Sequence, residues 1–197
     1  MKTIKVRGKN THIPTSWVEV TAEMWLRLIQ IDENSREFEL IAALTGEPEE
    51  FFLKSKDTLL DVKFFKELEW YTKPINLITL ERKDEVVVGD KTIPIPKDLG
   101  FKTLGQKMLL QQSMRENKDN IDAAILRAFA IYIAPLYYEK EFDGDTVEPF
   151  IEEFVNKMPI IEVYPIGSFF LQSLLDYQKW RVGNYIASMT QSRLEQA

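Results

Sequence analysis

The chain has 197 residues, a net charge of −6 and 45% hydrophobic residues, values that are typical of a folded globular protein. It contains no cysteine, which excludes disulfide scaffolds, thiolate zinc sites, iron–sulfur clusters and cysteine nucleophiles. The single histidine, His12, is expected in a turn before Pro14, so imidazole clusters and Ser-His-Asp catalysis are disfavoured.

The N-terminal segment, residues 1–12, is basic. Its alternating residues 2–7 predict a short edge strand. The first nine residues contain no acid and four basic side chains, those of Lys2, Lys5, Arg7 and Lys9. As an arm, this segment could contact nucleic acid or an acidic neighbouring subunit.

Helical spacing of apolar residues predicts three helices in the front half, over about 22–31, 35–45 and 57–72. Thr21 is a good N-cap for the first of them, and Gly46 is placed to end the second. These helices carry many acidic residues, which are expected on a solvated outer face.

Residues 75–96 predict a small β-hairpin insertion. Runs rich in β-branched residues at 75–80, 85–88 and 91–95 lie around the turn-forming pair Gly89-Asp90. The two prolines of the last run place it at a sheet margin. We expect this hairpin to contact partner subunits, with Val87 and Asp90 among the contacting residues.

The back half predicts helices throughout. Thr103 and Gln106 have the spacing of a capping box, in which each side chain binds the other's backbone amide, and this helix should end near Glu116. Asn120 caps the next helix, in which Pro135 marks a kink or the last turns. A further helix begins at Thr146.

A long C-terminal helix is predicted over about 165–193, with Pro165 in its first turn. Its apolar residues cover more than one face, so the helix is either central to the domain or continues into a partner subunit. Trp180, Ile186 and Met189 are the predicted contact residues. The fold class is therefore mainly α, a multi-helix single domain with a small β-hairpin insertion. No membrane helix or signal peptide is expected.

Three motifs have the form of functional sites but lack the required chemistry. The glycine spacing of 100–105 matches a phosphate-binding loop, but Gln106 and Lys107 stand where Lys and Ser or Thr are needed. The acidic segment 139–150 starts like a calcium loop but ends in Phe150 rather than Glu. The third motif is a pair of adjacent glutamates. General acid–base catalysis would need both carboxyl groups in one cleft, but adjacent side chains point apart on a helix. We therefore predict no catalytic residue, cofactor or metal.

Two segments resemble small morphogenesis proteins of tailed bacteriophages, including crAss-like phages. The first is Ile13-Pro-Thr-Ser-Trp-Val-Glu-Val-Thr21, followed by a short helix and Ala43-Leu-Thr-Gly46. The second covers 131–176, where Tyr137-Tyr138 and an acidic loop precede Met158-Pro159 and the Pro165-Ile-Gly-Ser-Phe-Phe170 helix start.

The resemblance implies a non-enzymatic protein of the virion, assembled in the host cytoplasm. It would act as an oligomeric ring subunit of the neck or tail, in contact with other virion or tail proteins. A tail assembly chaperone is an alternative. A nucleic-acid-binding accessory factor that uses the basic arm is a further, less favoured one.

Overall fold

The computed structural model describes residues 1–32, 37–56, 60–97 and 103–194, and in the last helix it describes side chains as far as Asp176 and at Lys179. In chain order the strands and α-helices are β1 (Lys2–Val6), β2 (Lys9–Ile13), α1 (Ala22–Leu28), α2 (Glu37–Thr45), α3 (Glu49–Leu53), α4 (Leu60–Glu67), β3 (Glu85–Val88), β4 (Lys91–Pro94), α5 (Leu104–Glu116), α6 (Ile121–Tyr138), α7 (Val147–Glu153) and α8 (Ile160–Leu194). The predicted fold class, mainly α with a small hairpin and a long C-terminal helix, is confirmed.

The core is built around α6. Ten residues of this helix between Ala124 and Ala134 are buried, because α8, α5 and α7 pack on different sides of it. By length and composition α6 could cross a membrane, with a mean hydropathy of 1.3, but 56% of it is buried inside the protein. That burial is typical of a core helix.

Helices α6 and α8 run parallel and approach closely. The carboxylate of Asp122 in α6 accepts a hydrogen bond from the hydroxyl of Tyr164 in α8. One turn further along, a Cβ on Gly167 would lie 2.2 Å from the carbonyl oxygen of Ile125. Beyond it, the rings of Tyr132 and Phe170 stack with their centroids 4.0 Å apart. The contacts advance together along both helices, which fixes their relative direction.

The front half is joined to α8 by backbone hydrogen bonds. The amide of Ala22 donates to the carbonyl of Met158 at 2.9 Å, and the amide of Ile160 donates to the carbonyl of Val20 at 2.8 Å. The chain segment before α1 therefore lies beside the start of α8.

Two predictions for the strands were wrong. β1 pairs with β2 in an antiparallel hairpin that turns at Arg7-Gly8, so His12 lies in a strand rather than a turn. The run 75–80 forms a short 3₁₀ turn, Leu77–Thr79, because the side chain of Asn76 accepts from the amide of Ile78 at 3.1 Å. The hairpin consists of β3 and β4 alone.

Two helix predictions also need correction. The first amides of α8 donate to the carbonyls of Val20 and Pro159, so the helix begins at Ile160. Pro165 therefore lies inside the helix and not at its start. α5 begins as predicted, with Thr103 Oγ1 accepting from the amide of Gln106. The capping box is incomplete, however, because the Gln106 side chain bonds the carbonyl of Ile131 instead.

Candidate functional site

Four aromatic side chains from separate parts of the front half form one cluster. Trp17 contacts the other three, with ring centroids 4.8 Å from Trp70, 5.8 Å from Tyr71 and 6.2 Å from Trp25. Trp17 lies in the 3₁₀ turn before α1, Trp25 lies in α1, and Trp70 and Tyr71 lie in the 3₁₀ turn after α4.

Each indole N–H in this cluster is held by a defined acceptor. Trp17 Nε1 donates to the carbonyl of Lys73 at 2.9 Å, and Trp70 Nε1 donates to the carbonyl of Pro14 at 3.1 Å. These two bonds tie the segment before α1 to the segment after α4, although 56 residues separate the partners in sequence. The relative position of the two aromatic segments is therefore fixed.

The third indole joins the cluster to the core. Trp25 Nε1 donates to Asp122 Oδ1 at 3.1 Å, and the hydroxyl of Tyr164 bonds the same carboxylate. Burial, together with the negative charge and hydrogen bond of Asp122, raises the pKa of Tyr164 to about 12. The neutral hydroxyl is the form that suits this site, and the three residues connect α1, α6 and α8.

The aromatic cluster borders a cleft of about 420 Å³, which we call the aromatic cleft. It is lined by Trp17, Trp25, Leu28, Ile29, Tyr71, Thr72, Pro74 and Ile75. Ile29 and Tyr71 are 37% and 36% exposed, so the cleft is open to solvent. Because the indole N–H groups are already bonded within the protein, the cleft offers mainly apolar surface.

The arrangement fits the binding of an apolar side chain better than it fits catalysis. Asp122, the carboxylate beside the cleft, is already bonded to Trp25 and Tyr164. Within the described ranges, no group of three or more His, Asp or Glu side chains could hold a metal ion. In the acidic segment after α6, Asp143 Oδ1 accepts from the amide of Asp145, an ordinary turn contact. Residues 100–102 of the glycine-spaced segment lie outside the described residues.

The structure brings the basic residues of the N-terminal segment onto the protein itself. Lys2 forms an ion pair with Glu67 at 3.4 Å, and Lys9 forms one with Glu47. The guanidinium of Arg7 lies 5.7 Å from the ring of Phe51, whereas Lys5 is exposed. The segment is a hairpin packed through the buried Val6 and Ile13.

The other predicted contact residues lie elsewhere. Val87 is 56% exposed on the outer side of β3, and Asp90 is exposed in the turn that follows. This hairpin is held by Lys91, whose ammonium donates to the carbonyl of Tyr137 and to Glu139. Trp180, Ile186 and Met189 lie on α8, and their side chains are outside the described residues.

Sequence reasoning missed the aromatic cleft. The available signal was the number of tryptophans, since three of the four in the chain meet in the cluster that borders the cleft. Helical spacing places Trp25 in the helix predicted over 22–31, but no local pattern joins it to Trp17 or Tyr71.

No protein-family model, curated protein or solved structure matches this chain. The function must therefore be argued from its own residues and from the resemblance described above.

Proposed function

We propose that the protein is a non-enzymatic structural subunit of the neck or tail of a tailed bacteriophage, acting through protein–protein contacts in an oligomeric ring. Its partners would be further copies of itself and other virion or tail proteins, and it would join the virion in the host cytoplasm. The phage assignment rests on the resemblance of two segments, and the role in assembly is supported by the shape and surface of the molecule.

The extension of α8 beyond its packing partner carries this proposal. At 1.5 Å per residue, the 35 residues of α8 span about 52 Å and the 18 residues of α6 about 27 Å. Since Gly167 is level with Ile125 and the helices run parallel, the end of α6 at Tyr138 is level with about residue 180. The final stretch of α8, about 20 Å long, continues past α6. A helix that outlasts its partner can pack on a neighbouring subunit.

Exposed apolar side chains provide a second support. Several large ones lie outside the core: Val18, Ile29, Leu53, Val62, Tyr71, Ile78, Val87, Leu104, Met108 and Ile121. Scattered single residues of this kind are normal on a protein surface. Ile29 and Tyr71, however, border the same cleft.

The alternatives receive different support. A tail assembly chaperone would use the same kind of contact but hold its partner transiently. Binding of nucleic acid by the N-terminal segment is less favoured, because Lys2 and Lys9 already form ion pairs with glutamates of the same chain.

The mass of the purified protein in solution, measured by light scattering after size-exclusion chromatography over a range of concentrations, tests the ring proposal. We expect a closed oligomer whose mass reaches a plateau as concentration rises. Deletion of residues 182–197 should lower the assembly state and leave the circular dichroism of the body unchanged. A monomer at every concentration would contradict the ring proposal and favour the chaperone.

A further inference from the structure

The aromatic cleft and the C-terminal part of α8 lie at opposite ends of that helix. Ile160, the first residue of α8, bonds Val20, and Tyr164 is joined to Trp25 of the cleft through Asp122. The last residue of α8 is about 50 Å from its first. Within one chain, a continuous helix cannot bring its C-terminal end back to the cleft beside its start.

We propose that residues 181–194 of α8, here called the α8 tail, dock in the aromatic cleft of a second copy of this chain. The proposal rests on the proposed function, because it assigns the interface through which ring subunits would join. Three observations support this occupant: the length of the tail, its sequence and its charge.

The chemistry of the cleft calls for apolar side chains on its partner. The indole N–H groups of Trp17 and Trp25 are bonded internally, so their rings offer apolar surface rather than hydrogen-bond donors. In the tail, Val182, Ile186 and Met189 are four and three residues apart, the spacing of one helix face. Helix-in-groove recognition uses this spacing of apolar anchors.

Charge favours the same pairing. The α8 tail contains two basic residues, Arg181 and Arg193, and no acid, whereas the whole chain has a net charge of −6. Near the cleft, Glu69 is exposed two positions before Tyr71, and Arg27 is already paired with Glu23 at 2.9 Å. Lys73 is the opposing charge on this rim. Because the rest of the chain carries the excess of acidic residues, a basic helix meets an acidic body when two copies associate.

Tail-to-cleft docking has a consequence for symmetry. The two surfaces are different, so the contact is heterologous, and each copy can donate one tail and accept another. Repetition of such a contact closes into a ring when the rotation between subunits allows it, and otherwise builds a filament.

Disulfide cross-linking tests the contact. Because the chain has no native cysteine, any disulfide formed joins the introduced thiols. One tagged full-length chain carries Ile29→Cys at the cleft. A second, differently tagged chain carries a single cysteine in the tail, at Val182→Cys, Ile186→Cys or Met189→Cys. The control replaces the cleft cysteine by Leu104→Cys, which is 70% exposed on α5, away from the cleft.

Docking raises the effective concentration of the paired thiols, so we expect a yield of mixed disulfide at least about ten times that of the control pair. The strongest tail position should reveal the face that docks. Without cross-linking, Ile29→Asp should lower the mass of the oligomer in light scattering, whereas Leu104→Asp should leave it unchanged. Both substituted side chains are exposed, and circular dichroism checks that each variant is folded.

The possible failures are distinguishable. If the unmodified chain forms an oligomer that Ile29→Asp does not weaken, and cleft pairs cross-link no better than the control, tail docking is wrong while the ring proposal stands. If the unmodified chain is a monomer at every concentration and gives no cross-link, both proposals are wrong.

Discussion

Gly167 lies where α8 passes α6, and its lack of a side chain decides how closely the two helices pack. A Cβ at this position would be 2.2 Å from the carbonyl oxygen of Ile125 and 2.9 Å from its Cγ2. We expect Gly167→Ala to lower the free energy of unfolding by about 1–3 kcal/mol, because overpacking forces the backbones apart. The better helix propensity of alanine offsets only part of this loss. Urea unfolding followed by circular dichroism measures the change.

Gly144 offers a matched control for that substitution. A Cβ there would find Leu109 Cδ2 at 3.9 Å, an ordinary van der Waals contact. Gly144→Ala should therefore leave the unfolding midpoint nearly unchanged. Equal midpoints for the two variants would contradict a steric role for Gly167.

Tyr164 should make stability sensitive to alkaline pH. Burial and the neighbouring Asp122 raise its pKa from 10.0 to about 12 in the folded state. Between these values the unfolded chain releases the phenolic proton while the native state keeps it, so the stabilisation present below pH 10 is lost as the pH rises towards 12. The loss of stability across this window should be smaller in Tyr164→Phe than in the unmodified protein, as measured by urea unfolding at several pH values. Identical slopes would show that Tyr164 is not linked to folding.

At the scale of elements, a side chain from α5 repairs a gap in α6. Pro135 has no N–H, so the carbonyl of Ile131 lacks its helical partner, and Gln106 Nε2 donates to this oxygen at 3.3 Å. Gln106 is 3% exposed. We expect Gln106→Met to destabilise the protein by about 1 kcal/mol, since it leaves the Ile131 carbonyl unpaired. Chemical denaturation measures the loss.

Pro135→Ala provides the control, because alanine restores an amide that can bond Ile131. The cost of Gln106→Met should be smaller in the Pro135→Ala background. Gln106 Oε1 has no hydrogen-bond partner within the described residues, and its removal affects both backgrounds equally. A cost that is the same in both would exclude the proposed bond between the helices.

The elements that could be predicted from sequence are those fixed by local contacts. Thr21, Thr103 and Asn120 each accept a backbone hydrogen bond at the start of a helix, as their positions predict. The start of α8 could not be predicted, because the bond that fixes it joins Ile160 to Val20. The same reason explains Gln106, whose partner is 25 residues away.

At the scale of the whole molecule, the candidate site is even less accessible to sequence patterns. The aromatic cleft joins Trp17, Trp25 and Tyr71, which belong to three separate short elements. Each of these residues individually has the appearance of a core position. Their meeting depends on hydrogen bonds between segments 56 residues apart, which no periodicity records.

The distribution of charge over the molecule leads to a prediction about assembly. If a basic α8 tail docks on an acidic body, salt should weaken the association, because the Debye length falls from about 10 Å at 0.1 M to about 3 Å at 1 M. Light scattering over this range should show a loss of mass in the unmodified oligomer. A contact made by apolar burial alone would persist at high salt.

Charge reversal identifies which basic segment is responsible. Arg181→Glu combined with Arg193→Glu should weaken assembly at low salt and reverse its salt dependence, because the tail then repels the acidic body and salt screens that repulsion. Lys5→Glu changes an exposed basic residue of the N-terminal hairpin and should have little effect. If Lys5→Glu weakens assembly while the tail variant does not, the hairpin rather than α8 contacts the acidic neighbour. The N-terminal hairpin and the α8 tail are both basic, so either one could supply the positive charge that an acidic neighbouring body attracts. The two variants distinguish them, because each removes positive charge from only one of the segments.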